Sequence, residues 1–157
     1  MNPVEVGRVL GGYPTARAEN EATGIVAGSL ILTRAGEIPV ENLKPGDEIV
    51  TRDIGVAVLR AVEIEQITAR AFALAPGALG QNRPKVRTMI PAGQSVVLRQ
   101  KKAQLVRMGT LRGTPGIRGL GRRRMLAHRL LFHRPHIVYA DGVEILMGQA
   151  EAQVRAA

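Results

Sequence analysis

The three histidines of this chain, His128, His133 and His136, stand close together in the stretch HRLLFHRPH, and clustered imidazoles invite a metal reading. Zinc asks for three or four converging N, S or O donors. Cysteine is absent, which removes thiolate ligands, disulfides and a thiol nucleophile together. With residues 133 to 138 extended, His133 and His136 point to opposite faces of the strand. The neighbouring acid, Asp141, lies in a turn. The pattern therefore predicts no metal site and no cofactor.

The arginines offer a different chemistry. The formal net charge is +9, and it is unevenly spread: residues 66 to 140 contain no Asp or Glu but hold 15 of the 22 Lys and Arg, while the remainder carries 7 basic and 13 acidic residues. One segment is thus +15 and the rest −6. Such asymmetry suits an anionic partner. Lys101, Lys102, Arg118, Arg122, Arg123 and Arg124 form the candidate contact, and arginine can engage carboxylates or phosphates with two parallel hydrogen bonds. Tyr13, Phe72, Phe132 and Tyr139 are too dispersed to stack successive bases. No helix-turn-helix or zinc-finger pattern is visible. An acidic protein or a larger macromolecular assembly therefore ranks first as partner, with nucleic acid as the alternative.

The elements that must position these residues read as strands. A chain of 157 residues with 45% hydrophobic and 22% charged residues suffices for one domain with a core, built here without Trp. Residues 30 to 33, 38 to 40, 48 to 51, 56 to 64, 67 to 74, 86 to 90 and 95 to 99 are short, alternating or β-branched, and bounded by Gly, Pro, Asn or Asp. The fold class is all-β. Pro45 and Gly46 have the order of a type II turn, and Asp141-Gly142 marks a hairpin in HIVYADGVEILM. Residues 111 to 124, LRGTPGIRGLGRRR, show no apolar periodicity and read as a long exposed loop. Residues 125 to 132 fit a helical turn or a strand, and 149 to 157 a short polar helix or tail. No run approaches the roughly 20 apolar residues of a membrane helix. The N-terminus lacks the basic and apolar regions of a signal peptide, so the cytoplasm is the expected location.

One longer stretch is more specific. GIVAGSLILTRAGEIPVENLKPGDEIVTRDIG, from Gly24, resembles the opening of the Hedgehog/intein (Hint) domain in its bacterial stand-alone form. There, a Cys-x-x-x-Gly-Thr start leads through a hairpin to Val-Glu-x-Leu-x-Pro-Gly-Asp. FALAPGALGQNRP resembles the strand and turn before the family's central motif, and LLFHRPHIVYADGVEIL its closing strand pair. The resemblance implies an intein-type β-fold over residues 24 to 148, between an extension at 1 to 23 and a tail at 149 to 157.

It also implies a chemistry that this chain is poorly equipped to perform. Active Hint domains attack the peptide bond before their first residue with that residue's own side chain, helped by a Thr and a His of the central motif. Here the first position is Gly24, which has no side chain. The central Ser-Pro-x-His-Arg meets IPAGQSVVL, which keeps Pro91 and lacks the His. The remaining hydroxyls nearby, Thr23 and Ser29, are out of step with the motif, and His136 stands one residue late in the closing motif. The chain also ends QVRAA, without the Asn that intein splicing needs. The expectation is a degenerate, non-catalytic Hint-fold protein acting as a binding, accessory or structural module through its basic segment. The rival is residual self-cleavage using Thr23 or Ser29 with His136.

Overall fold

The computed structural model describes residues 22–99 and 102–148, and their regular structure is almost wholly strand. Twelve strands follow in order: β1 Ile25–Val26, β2 Leu30–Thr33, β3 Gly36–Pro39, β4 Glu48–Thr51, β5 Gly55–Val58, β6 Ala61–Leu74, β7 Thr88–Pro91, β8 Ser95–Arg99, β9 Ala103–Arg107, β10 Ile117–Leu131, β11 His136–Ala140 and β12 Val143–Met147. Short 3-10 turns occupy Val40–Asn42 and Met108–Leu111. All pairings between these strands are antiparallel. One sheet runs β1-β10-β6-β7; the other runs β3-β2-β4-β11-β12-β8-β9, with β5 added on β4.

Turn residues set the registers. Asp141 and Gly142 both adopt positive φ, 51° and 87°, as a two-residue hairpin with a right-handed strand twist requires. Between Lys44 and Asp47 the Asp47 N–H donates to the Lys44 carbonyl at 3.1 Å, and Gly46 sits at φ 97°. That is the type II turn expected of Pro45-Gly46. The turn is tied down by Leu59, whose carbonyl accepts from Gly46 N–H at 2.8 Å and whose N–H donates to Asp47 at 2.9 Å.

The main core lies between the sheets, around Ile31, Ile49, Leu59, Leu74, Met108 and Leu130, all essentially inaccessible. A second, smaller core of Ile67, Ala69, Ala71, Met125 and Ala127 lies along β6 and β10, covered by Ala22, Val26 and Met89. Its small side chains let the chain near Gly24 pack close to β10.

Three expectations change. The segment read as a loop to Arg124 is largely strand: after the Met108–Leu111 turn, β10 begins at Ile117 and pairs with β6 all the way to Leu131 opposite Ala61. Its glycines are poor strand formers alone, but β6 supplies a continuous partner for the backbone. The same ladder makes residues 125 to 131 strand. Residues 61 to 74 form one strand where two were expected, while 56 to 64 divides at Leu59-Arg60, where Leu59 turns inward to the Pro45-Gly46 turn. Strand β9, mostly exposed, has no sequence signal of its own and is set by pairing with β8. The tail at 149 to 157 and residues 1 to 21 lie outside the described residues. No helix among those described is long and apolar enough to cross a membrane.

Candidate functional site

Gly24 is held just before β1, a strand of two residues that adds to β10 with Ile25 opposite His128 and Val26 opposite Ala127. The glycine is buried at φ +135°, and a Cβ built on it would fall 2.7 Å from the Ala127 Cβ. Real Cβ atoms do not approach so closely in packed interiors, so the space for a side chain at position 24 is already filled. The positive φ disfavours any side chain there independently.

Both ends of the Thr23–Gly24 peptide bond are nevertheless bound. The Gly24 N–H donates to Gln94 Oε1 at 2.9 Å, and Arg129 Nη1 donates to the Thr23 carbonyl at 3.3 Å. Gln94 is fully buried. Its Nε2 donates to the carbonyls of Leu146 at 2.9 Å and Ser95 at 3.0 Å. Only an NH₂ can satisfy two carbonyls, so the oxygen must be the atom that faces Gly24. The carboxamide is therefore an acceptor toward the peptide nitrogen and has no proton to give it. Arg129 is aimed by Glu65, whose Oε1 lies 2.8 Å from Nη2, and by Glu63 at 3.3 Å from Nε.

Counted from Pro91, the family's His falls on Gly93, but the side chain that reaches Gly24 comes from Gln94. Sequence spacing missed it, and it missed Arg129. The signal available was a lone amide at the start of an apolar strand, GQSVVL. The histidine beside Gly24 is His128, 1% exposed, with its Nδ1 3.2 Å from the Ile25 carbonyl. A carbonyl only accepts, so Nδ1 carries the proton.

The weaker catalytic candidates lie apart in role. Ser29 is a backbone junction: its N–H donates to Val26 and its carbonyl accepts from Val40. His136 on β11 donates from Nδ1 to Asp53 Oδ2 at 2.8 Å, and Asp53 Oδ1 accepts from the Ile137 N–H at 3.1 Å. Partial burial pushes the Asp53 pKa up, but these hydrogen bonds outweigh it and hold the carboxyl below its usual value. Each of these groups is engaged in holding strands together. Among the described residues no three His, Asp or Glu side chains converge as metal ligands.

The basic candidates are distributed by the β6–β10 ladder. Arg122 faces Arg70 and Arg124 faces Thr68, on one side of the ribbon; Arg123 faces Ala69 and Arg118 faces Ala73, on the other. Regular alternation would have put Arg118 with Arg122 and Arg124. A bulge between Gly119 and Gly121 inverts it. Lys102 stands exposed before β9 in the other sheet, and Lys101 lies outside the described residues. Arg70, which the sequence did not single out, joins the Arg122 and Arg124 face, next to exposed Leu126 and Ile64. Among the described residues, Lys85 reaches Glu37, Arg83 and Arg99 reach Glu144, and Arg129 reaches Glu63 and Glu65, all acids from outside the +15 segment.

Two antiparallel sheets, with the short strand after Gly24 added to the edge of the long β6–β10 ribbon, define an intein-like architecture. The chain belongs to the Hint domain family, which matches residues 23–146. Among solved structures, it is similar to a bacterial intein-like domain from Clostridium thermocellum, with 17% identity, a TM-score of 0.54, and coverage of 82% of this chain and 99% of that one. A variant of the Ssp DnaB mini-intein gives 15% identity, a TM-score of 0.55 and coverage of 84% and 97%. The gp41-1 intein gives 12% identity, a TM-score of 0.50 and coverage of 82% and 99%. At these identities the likeness is one of fold. No curated protein matches the chain.

Proposed function

We propose that this chain is a non-catalytic Hint-fold protein that works as a binding or accessory module, using a basic face on an acidic protein partner. The observation that carries the first half is the crowding at Gly24: a Cβ placed there would lie 2.7 Å from the Ala127 Cβ, too close for a nucleophile's side chain. Gln94 adds to it, because an acceptor cannot protonate a departing amine. For the second half, Arg70, Arg122 and Arg124 share one exposed ribbon face beside Leu126 and Ile64.

One observation supports the rival, residual cleavage: Arg129 polarises the Thr23 carbonyl. An outside nucleophile such as hydroxylamine could attack that carbon, leaving residues 1 to 23 as a hydroxamate and residue 24 with a free amine. Intact mass of the full chain with and without hydroxylamine separates the readings. A single mass in both conditions is expected; a fragment beginning at Gly24 would establish cleavage.

The binding half is tested on immobilised polyglutamate and on duplex DNA across a salt series. Retention on polyglutamate should fall steeply with salt and be lost on reversing Arg70, Arg122 and Arg124 to Glu. Arg123→Glu, on the opposite side of the ribbon, should change it much less. Preferential retention on DNA would move the nucleic-acid reading ahead, and equal effects of all four reversals would remove the ribbon face as the contact.

A further inference from the structure

Away from Gly24, the carboxylate of Glu144 on β12 is fully buried and three guanidinium groups converge on it. Arg99 binds it with two hydrogen bonds, Nε to Oε1 at 2.8 Å and Nη2 to Oε2 at 3.1 Å. Arg52 Nε lies 3.0 Å from Oε2 and Arg83 Nε 3.3 Å from Oε1. A carboxylate has roughly four acceptor sites, whereas each guanidinium carries five N–H donors. Three positive charges on one negative leave +2. The Arg83 Nε is shut off from solvent and makes no hydrogen bond. The three side chains, Arg52, Arg83 and Arg99, are still 34%, 28% and 36% exposed, and Arg83 Nη1 donates to the Gln81 carbonyl at 2.9 Å, which leaves Nη2 as the arm of its fork without an acceptor among the described residues.

Arg83 also lines an open pocket of about 680 Å³ with Asn82, Lys85 and Tyr139. Tyr139 stands directly across from Glu144 in the β11–β12 ladder, so pocket wall and charge cluster belong to neighbouring strands. Glu37, also on the pocket wall, pairs with Lys85 and neutralises it. The remaining cation of the pocket wall is Arg83, with Arg52 and Arg99 set behind it on Glu144. The loop that carries Arg83 is fixed over the sheet by backbone bonds from Arg99 N–H to the Leu79 carbonyl at 3.1 Å and from Lys85 N–H to the Asp141 carbonyl at 2.8 Å. The donors are thus positioned before any ligand arrives.

We propose that the pocket beside Glu144 binds a dianionic phosphoryl group, as inorganic phosphate or a phosphate monoester, through Arg83 with Arg52 and Arg99 behind it. The charge selects the ligand: a monoester at neutral pH carries about −1.5 to −2, matching the surplus, whereas a diester carries one charge. Planar guanidinium forks suit tetrahedral oxyanions geometrically. Glu144 in this arrangement orients the arginines and is not itself a ligand contact.

The test uses the full chain, titrated with inorganic phosphate, phenyl phosphate and dimethyl phosphate at constant ionic strength, followed by calorimetry and phosphorus NMR. Saturable one-site binding of phosphate or phenyl phosphate is expected, with dimethyl phosphate at least about tenfold weaker. Binding of phenyl phosphate alone assigns the source as an organic monoester, and binding of phosphate alone assigns the free ion. Affinity should drop below about pH 6, where the second charge is lost. Arg83→Gln and Arg52→Gln should each weaken binding about tenfold or more, while Arg124→Gln on the ribbon leaves it unchanged. Absence of saturable binding, equal binding of monoester and diester, or loss with Arg124→Gln instead would overturn the proposal. Circular dichroism establishes that the variants are folded; if they are not, the discrimination between monoester and diester by the unaltered chain decides.

Discussion

At Gly24 the missing nucleophile and the missing space are one fact. Restoring a thiol by Gly24→Cys should not restore cleavage, because its Cβ meets Ala127 and the backbone is left-handed there. Overpacking of this kind costs about 1–3 kcal/mol, so the variant should melt at lower temperature and keep its intact mass. Gly24→Cys combined with Ala127→Gly should recover part of the lost stability. Gln94 makes the complementary case. Gln94→Leu strands the buried Gly24 N–H and withdraws a donor from Leu146, and one such unsatisfied group costs about 1–3 kcal/mol. Urea unfolding of the purified variant checks it; an unchanged midpoint would show that the carboxamide is dispensable.

Single elements differ in how far the sequence reveals them. Strands bounded by committed turns, β2, β4, β8 and the β11–β12 hairpin, are legible because Gly46, Asp141 and Gly142 leave the backbone few choices. Gly46→Val tests this: nothing crowds the site, so the loss, about 1–2 kcal/mol, comes from forcing a β-branched residue into the left-handed region. A thermal melt equal to the parent's would remove the turn assignment. Strand β10 was illegible for the opposite reason. Its arginines and glycines carry no alternation, and its conformation comes from β6, far away in sequence. At the candidate site, the glycine at position 24 was readable from a motif; Gln94 and Arg129, which bind the two sides of its peptide bond, were not. They reach it from strands that only the tertiary fold brings there.

Among the described residues, cations of the basic segment pair with acids from outside it, and Glu144 is the fully buried junction. Burial pushes the Glu144 pKa up, but hydrogen bonds from Arg99 and the charges of Arg99, Arg83 and Arg52 overcome it, leaving the group below its reference value of 4.5. Asp53 is likewise below its reference of 3.8. For carboxylates depressed by folding, the stabilisation is complete above the unfolded pKa and disappears as pH falls through the folded one. Urea midpoints should therefore be level near neutrality and decline from about pH 5 downward. Glu144→Gln should lower the unfolding free energy at neutral pH by about 3–5 kcal/mol and flatten the acid decline. The tie between Gln94 and the Gly24 nitrogen reaches further. If the chain were cut at that bond, the new terminus would be an ammonium with three protons to place and one neutral oxygen to receive them, in a spot closed to water. The severed form would have to give up its charge or pull β1 away from the ribbon. The uncut peptide, with one N–H for the one oxygen that Gln94 presents, is the form that fits this interior.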